Sequence, residues 1–190
     1  MLLAANAKFN RDASLYRSEK EKAAARLMKD PMSAESAFSI FGLLLGIFPP
    51  AAVFLKMLMD IGVMKGESVW LIAIMVLVNA VAATVGYFSG KLVGKIVSNL
   101  EKYPWSVMLL LMPFVGLVWG MATGGTAGVF IFILGAFFGA AIGGAVGAAA
   151  LPAFVVFHRL LKKGDKIEER ILLPLAFGVS LVISAFILGL

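Results

Sequence analysis

The sequence predicts an all-α integral membrane protein, a polytopic bundle of about five transmembrane helices. Apolar residues make up 61% of the 190 residues and charged residues only 15%, and the mean hydropathy is +0.97. A soluble domain of this length has too much surface for its volume to bury that much apolar area. The charges also cluster, leaving four uncharged runs of at least about twenty residues, the length of a membrane-spanning helix. These runs are Ser36–Leu55, Ser68–Gly90, Tyr103–His158 and Ile171–Leu190.

The chain divides into a charged N-terminal segment, residues 1–35, and a transmembrane bundle, residues 36–190. Good helix formers dominate Ser18–Lys29, so we predict a cytoplasmic amphipathic helix in the first segment. Its narrow apolar stripe would consist of Phe9, Tyr16, Ala23 and Leu27. Such a stripe suits either the membrane surface and the chain's own bundle or a soluble partner protein, and the sequence leaves both readings open.

The first predicted span runs from about Phe38 to Leu55 and contains Pro49 and Pro50. Each proline lacks an amide donor, and proline disfavours helical angles in the residue before it. We therefore expect a helix kink or a short unwound stretch at Pro49 and Pro50. Backbone carbonyls that lose their helical hydrogen bonds inside a bilayer need partners from neighbouring helices or from a water-lined cavity.

The second predicted span, Ser68–Gly90, has Asn79 at its centre. An amide in hydrocarbon requires hydrogen-bond partners, so Asn79 either bonds to a neighbouring helix or, with Thr84, lines a pore or specifies an oligomer. After this span, Lys91–Lys102 carries apolar residues at four-residue spacing between lysines. We predict a helical extension that lies partly in the cytoplasmic interface.

The run Tyr103–His158 is too long for one helix and suits two. We place the break at Thr123–Thr126, because glycine pairs favour turns, with helices near Pro104–Met121 and Ala127–Leu151. A charged loop then precedes the last span, Ile171–Leu190. A four-span bundle, or a re-entrant pair in place of the third and fourth spans, is the alternative.

The positions of the basic residues predict the orientation of the bundle. With five spans, fifteen of the seventeen Lys and Arg residues fall on one side, and short cytoplasmic loops are enriched in these residues. We therefore predict a bacterial or archaeal cytoplasmic membrane, with the N-terminus in the cytoplasm and the C-terminus outside. The net charge of +6 comes from flanks of apolar spans and not from one soluble basic face, which argues against nucleic acid as a partner.

Glycine recurs at four-residue spacing in most of the predicted spans, the pattern of a glycine zipper. Each series lies along one helix face and lets another backbone approach closely. The series either packs the chain's own bundle, contacts a second subunit through the Gly135–Gly147 face, or forms a groove for a flat ligand or lipid. The series are Gly42/Gly46, Gly86/Gly90/Gly94, Gly116/Gly120/Gly124 and Gly135/Gly139/Gly143/Gly147.

The sequence gives no pattern typical of a catalytic, cofactor or metal site. There is no cysteine, and the predicted spans carry no acidic or basic residue at mid-depth, which argues against proton-driven transport. His158 is the only histidine. With no acidic residue beside it in sequence, we expect an interfacial side chain at the end of the fourth helix rather than a ligand or a base. We accordingly predict no enzymatic activity, no cofactor and no metal.

The sequence favours an oligomeric membrane protein that acts as a pore-like or passive transport subunit, or as the membrane module of a multi-protein system. The glycine faces, Asn79 and the prolines of the first span motivate this hypothesis. The alternative is a non-conducting anchor or scaffold that recruits a soluble partner through residues 1–35. Under either hypothesis the bundle would contact lipid. As a pore-like or transport subunit it would also form a homo-oligomer.

Overall fold

A computed structural model describes residues 31–61, 68–163 and 166–189, and these residues form an almost entirely helical bundle. The prediction of an all-helical protein is confirmed. The N-terminal helix predicted within residues 1–35 lies, up to residue 30, outside the described residues. The helices are α1 Ala34–Ile61, α2 Ser68–Leu100, α3 Trp105–Gly128, α4 Phe132–Leu161 and α5 Glu169–Leu188; two short strands, β1 Pro31–Ser33 and β2 Lys166–Glu168, pair antiparallel.

Among the described residues, four stretches of helix have the length and apolar composition of a membrane span. They are Ala34–Asp60, Val69–Leu100, Trp105–Leu161 and Glu169–Leu188, and the third of them contains both α3 and α4. The membrane-bundle class predicted from the uncharged runs therefore agrees with the structure.

Helix α1 begins at a serine cap and continues through both prolines. The Ser33 hydroxyl accepts a hydrogen bond from the Ser36 amide at 3.3 Å, which satisfies one of the amides that a helix start leaves unpaired. The backbone stays helical at Pro49 and Pro50, so the chain has no unwound stretch there. Helix α2 is also continuous: the predicted second span and the extension from Lys91 form one helix of 33 residues.

The predicted break between the third and fourth spans is wrong. Thr123–Thr126 lies inside α3, and the chain reverses at Val129–Ile131, a short 3-10 turn followed by Phe132 with a φ of 73°. Both helices are therefore longer than predicted. The glycines expected to make a turn are used for packing, because Gly124 faces the backbone of Gly139.

Helices α3 and α4 form an antiparallel hairpin whose backbones touch. A Cβ atom added to any of four glycines of α3 would lie 1.9–2.1 Å from a glycine carbonyl oxygen of α4. Contact this close is open only to glycine, since a side chain would occupy the space of the other backbone. The facing pairs are Gly116/Gly147, Gly120/Gly143, Gly124/Gly139 and Gly128/Gly135.

Helices α1 and α2 form a second hairpin of the same kind. A Cβ on Gly42 would lie 2.1 Å from the carbonyl oxygen of Gly86, and one on Gly90 would lie 2.3 Å from that of Phe38. A cluster of buried aromatic rings joins the two hairpins, with Phe41 stacked on Phe154 at a centroid distance of 3.9 Å. Helix α5 packs mainly against α1.

The contacts between connecting segments define two ends of the bundle. One end, the basic end, contains β1, β2, the turn between α2 and α3, and the end of α4; here Arg159 donates to the carbonyl of Tyr103 at 3.4 Å. At the other end, the Lys56 ammonium donates to the carbonyl of Leu188 at 3.5 Å. Successive helices therefore run in opposite directions. The basic residues in the half nearest the basic end are Lys91, Lys95, Lys102, Arg159, Lys162, Lys163, Lys166 and Arg170.

Candidate functional site

An apolar groove of about 480 Å³ lies between α1 and the α3–α4 hairpin, in the half of the bundle away from the basic end. Pro50 and Gly46 line one wall and Gly143 the other. The Thr123 hydroxyl in the groove donates to its own helix, at 2.9 Å from the Trp119 carbonyl oxygen. Phe138, which also lines the groove, is 61% exposed, so the groove is not sealed inside the bundle. Its chemistry suits hydrocarbon better than water or ions.

Asn79 connects α2 to the proline-containing part of α1. The orientation of the Asn79 side-chain amide is assigned from its hydrogen bonds. In this orientation the side-chain nitrogen donates to the carbonyl of Gly46 at 2.7 Å and to that of Ile47 at 3.0 Å. In a regular helix the Gly46 carbonyl would accept from the amide of residue 50, and Pro50 has none. Asn79 therefore supplies the donor that Pro50 removes, which helps α1 to stay helical at Pro50.

Thr84 is placed differently from Asn79. It is exposed on the outer face of α2, and its hydroxyl donates to the Ala80 carbonyl of its own helix at 2.8 Å. Neither Thr84 nor Asn79 lines the groove. The structure thus does not bring together the two residues that the sequence offered as one polar lining.

The predicted glycine contacts are made within one chain. The Gly135–Gly147 face is covered by α3, so in this structure α3 occupies the place that a second subunit was considered to take. Gly86 and Gly90 face α1, while Gly116 and Gly120 face α4. A self-association surface would consequently have to use other faces of the bundle.

The environment of His158 differs from the prediction in two respects. The side chain is 1% exposed and packs against Phe38 at a ring distance of 5.3 Å, so it is not an interfacial group directed to water. Its Nδ1 also lies 3.5 Å from Oε1 of Glu101, an acid that sequence proximity did not indicate. Folding α4 back along α3 brings its end beside Glu101 in the turn between α2 and α3, and only the tertiary structure contains that information.

Glu101, just beyond the end of α2, lies between His158 and Lys162. Lys162 Nζ donates to Oε2, while Oε1 faces the imidazole. Burial raises the pKa of Glu101, but the contacts with His158 and Lys162 outweigh it and hold the pKa below its usual value of 4.5. The ionised carboxylate therefore stabilises the fold above about pH 4.5, and this contribution is lost as the pH falls through the lowered value.

Three buried polar atoms of this cluster have no hydrogen-bond partner among the described residues. They are Glu101 Oε1 and both ring nitrogens of His158. The separation of 3.5 Å between Oε1 and Nδ1 is within ion-pair range but too long for a well-formed hydrogen bond. Buried polar groups are usually paired, so this arrangement calls for a chemical explanation.

The described residues contain no group of three His, Cys, Asp or Glu side chains able to hold a metal ion. Comparison of the chain with protein-family models, with curated proteins and with solved structures gives no match. The class of protein, a helical bundle with the properties of a membrane protein, consequently rests on the sequence and the fold.

Proposed function

We propose that the chain is a five-crossing membrane protein that works as a non-conducting anchor or scaffold, with its basic end in the cytoplasm. In this proposal the basic end and residues 1–35 hold a soluble partner protein, and the bundle keeps that partner at the membrane. The alternating helix directions and the apolar packing between the helices support it.

The five crossings are supported by the connecting segments that meet at each end. Strand pairing places the start of α1 beside the loop between α4 and α5, and Lys56 places the end of α1 beside the end of α5. The described chain therefore starts at the basic end and finishes at the other end. If the α3–α4 hairpin also spans the bilayer, the chain crosses it an odd number of times. Positively charged cytoplasmic loops then put the basic end inside.

Reporter fusions test this topology. We expect fusions within Val129–Ile131 and at Leu190 to be exported and a fusion directly after Lys163 to be cytoplasmic. The fusion after Lys163 serves as the internal control for expression and stability. A cytoplasmic reporter at Leu190 would contradict the five-crossing arrangement.

The absence of conduction is supported by the packing and the hydrogen bonds of the described helices. Phe41, Phe154 and Leu151 are fully buried in one cluster that joins the two hairpins. The buried hydroxyls of Ser39, Ser180 and Ser184 each donate to a carbonyl of their own helix, at 2.8–2.9 Å. A row of carbonyls or hydroxyls directed at a channel, one common lining of a conducting pore, is not found among the described helices.

A pore between several copies is the second candidate, and a flux assay separates it from the anchor. The outward faces available to such a pore carry large exposed apolar side chains, such as Trp70, Val76 and Phe114, which favours lipid as their neighbour. We expect liposomes containing the purified protein to pass ions and small solutes no faster than liposomes with the Asn79→Leu variant or without protein. Flux well above that of protein-free liposomes would contradict the anchor proposal.

Recruitment of a partner is supported by the way residues 1–35 join the bundle. Strand β1 pairs with β2, so Pro31–Ser33 is held against the α4–α5 loop at the basic end. We expect a soluble protein to co-purify with the full chain and to be lost when residues 1–29 are deleted. The matched control is charge reversal of Lys56, at the other end of the bundle, which should leave binding unchanged. Equal recovery with and without residues 1–29 would contradict docking through this segment.

A further inference from the structure

The proposed anchor role makes no use of the apolar groove between α1 and the α3–α4 hairpin. We propose that this groove binds one acyl chain of a membrane phospholipid, with the headgroup at the end of the bundle away from the basic end. The inference rests on one part of the proposed function, that the bundle spans a bilayer. It does not depend on the anchor role or on which end of the bundle is cytoplasmic.

The groove has the direction and the length of a lipid chain. Its lining follows α1 from Gly42 to Met57 and α4 from Gly135 to Gly147. At a rise of about 1.5 Å per residue, these stretches are about 18–22 Å long. The groove therefore runs along the helices and across the bilayer, as lipid chains do. One leaflet contributes about half of the ~30 Å hydrocarbon core, so a single chain from the leaflet away from the basic end fits lengthwise.

The width of the groove suits an extended chain and not a helix. The volume of about 480 Å³, spread over that length, corresponds to a channel about 6 Å across, whereas an α-helix with its side chains is about 10–12 Å across. Carbon atoms in contact lie about 3.5–4.0 Å apart, so one hydrocarbon chain fits between the walls. A helix from a second copy of the chain would only cover the opening.

The lining of the groove favours hydrocarbon over water. Among the described residues that line it, only Thr123 and Trp119 have a side-chain oxygen or nitrogen, and both atoms are already paired. The Thr123 hydroxyl donates within α3, and the Trp119 indole donates to the Ser89 hydroxyl at 2.7 Å. Apolar cavities stay dry and take up apolar ligands, and an empty groove would forfeit dispersion contacts along its walls. A chain from the surrounding bilayer restores those contacts.

A positive charge lies at the end of the groove where a headgroup would be. Lys56 directly precedes Met57, the lining residue nearest the end of α1, and its side chain is exposed. The carboxylate of Asp60, one turn further along α1, is also exposed. An ammonium forms charge-assisted hydrogen bonds with phosphate oxygens. A phospholipid with one chain in the groove would bring its phosphate to the same end of the bundle as this ammonium, whereas a plain hydrocarbon would make no use of it.

Fluorescence quenching by brominated lipid tests the proposal. Trp119 lines the groove and is 8% exposed, so bromine in the groove touches its ring and bromine on lipids outside the bundle does not. The full chain with Trp70→Phe and Trp105→Phe, which leaves Trp119 as the only tryptophan, is placed in vesicles of phosphatidylcholine and phosphatidylglycerol. We expect Trp119 to lose emission when the acyl chains carry bromine, relative to the same vesicles without it.

A pair of valine substitutions shows whether the quenching lipid lies in the groove. Val53→Phe narrows the groove from the α1 wall, and most of the quenching of Trp119 should be lost. Val182→Phe is the matched control, because Val182 is 70% exposed on α5 and does not line the groove; quenching should be unchanged. Equal quenching in both variants would overturn the proposal. The measurement on the unfilled groove stands by itself if Val53→Phe weakens the bundle.

A reporter on the outer face separates failure of the lipid site from failure of the proposed function. Val76→Trp, in a chain whose own tryptophans are all changed to phenylalanine, replaces a side chain that is 63% exposed, and bulk lipid should quench it. Emission from Trp119 that bromine leaves unchanged, beside a quenched Val76→Trp reporter, would overturn the lipid site alone. Cross-linking between copies would then identify a second copy as the cover of the groove. An unquenched Val76→Trp reporter would overturn the membrane-spanning bundle and the lipid site with it.

Discussion

Gly143→Ala is expected to destabilise the α3–α4 hairpin by about 3 kcal/mol, the upper range for overpacking in a tightly packed interior. The added Cβ would lie 2.3 Å from the carbonyl oxygen of Gly120. A backbone atom cannot rotate away as a side chain can, so the two helices would have to separate. Reversible unfolding in mixed micelles, followed by circular dichroism, measures the loss.

The same substitution at Gly178 of α5 is the matched control, because a Cβ there meets nothing within 4 Å. Gly178→Ala should cost nothing and can gain up to about 1 kcal/mol from helix propensity. Since the glycine contact is within one chain, the loss in Gly143→Ala should not depend on protein concentration. A Gly143→Ala variant as stable as the unmodified protein would contradict the close packing of α3 and α4.

Asn79→Leu is expected to cost about 2 kcal/mol, the penalty of leaving a buried acceptor unpaired. The carbonyl of Gly46 would lose the donor that replaces the missing amide of Pro50. Thr84→Val, on the exposed face of the same helix, removes a hydroxyl that bonds only within α2. It should change the free energy of unfolding by less than about 0.5 kcal/mol.

A double-mutant cycle with Pro50→Ala isolates this role of Asn79. Alanine at residue 50 restores the amide that normally bonds to the Gly46 carbonyl. The cost of Asn79→Leu should therefore fall to below about 1 kcal/mol in the Pro50→Ala background. An equal cost in both backgrounds would show that Asn79 stabilises the bundle in some other way.

The glycine series illustrates how far sequence reasoning reaches. The four-residue spacing of glycine predicts which helix faces pack closely, because glycine in a lipid-embedded helix lets another backbone approach. It left open whether the facing backbone belonged to the same chain, since periodicity describes one helix and not its neighbour. The turn predicted at Thr123–Thr126 is wrong, because glycine serves turns and close packing equally well. The actual turn, Val129–Ile131, contains no residue typical of a turn.

The amino-acid sequence by itself determined the class of the protein, the approximate position of each described helix and the segregation of basic residues. These properties follow from local composition, which sets whether a segment prefers hydrocarbon or water. Only the tertiary structure decided that α3 covers the glycine face of α4, that Asn79 compensates for Pro50, and that Glu101 meets His158. Each of these depends on which helices become neighbours, and neighbours are selected by shape and hydrogen bonding between segments far apart in the chain.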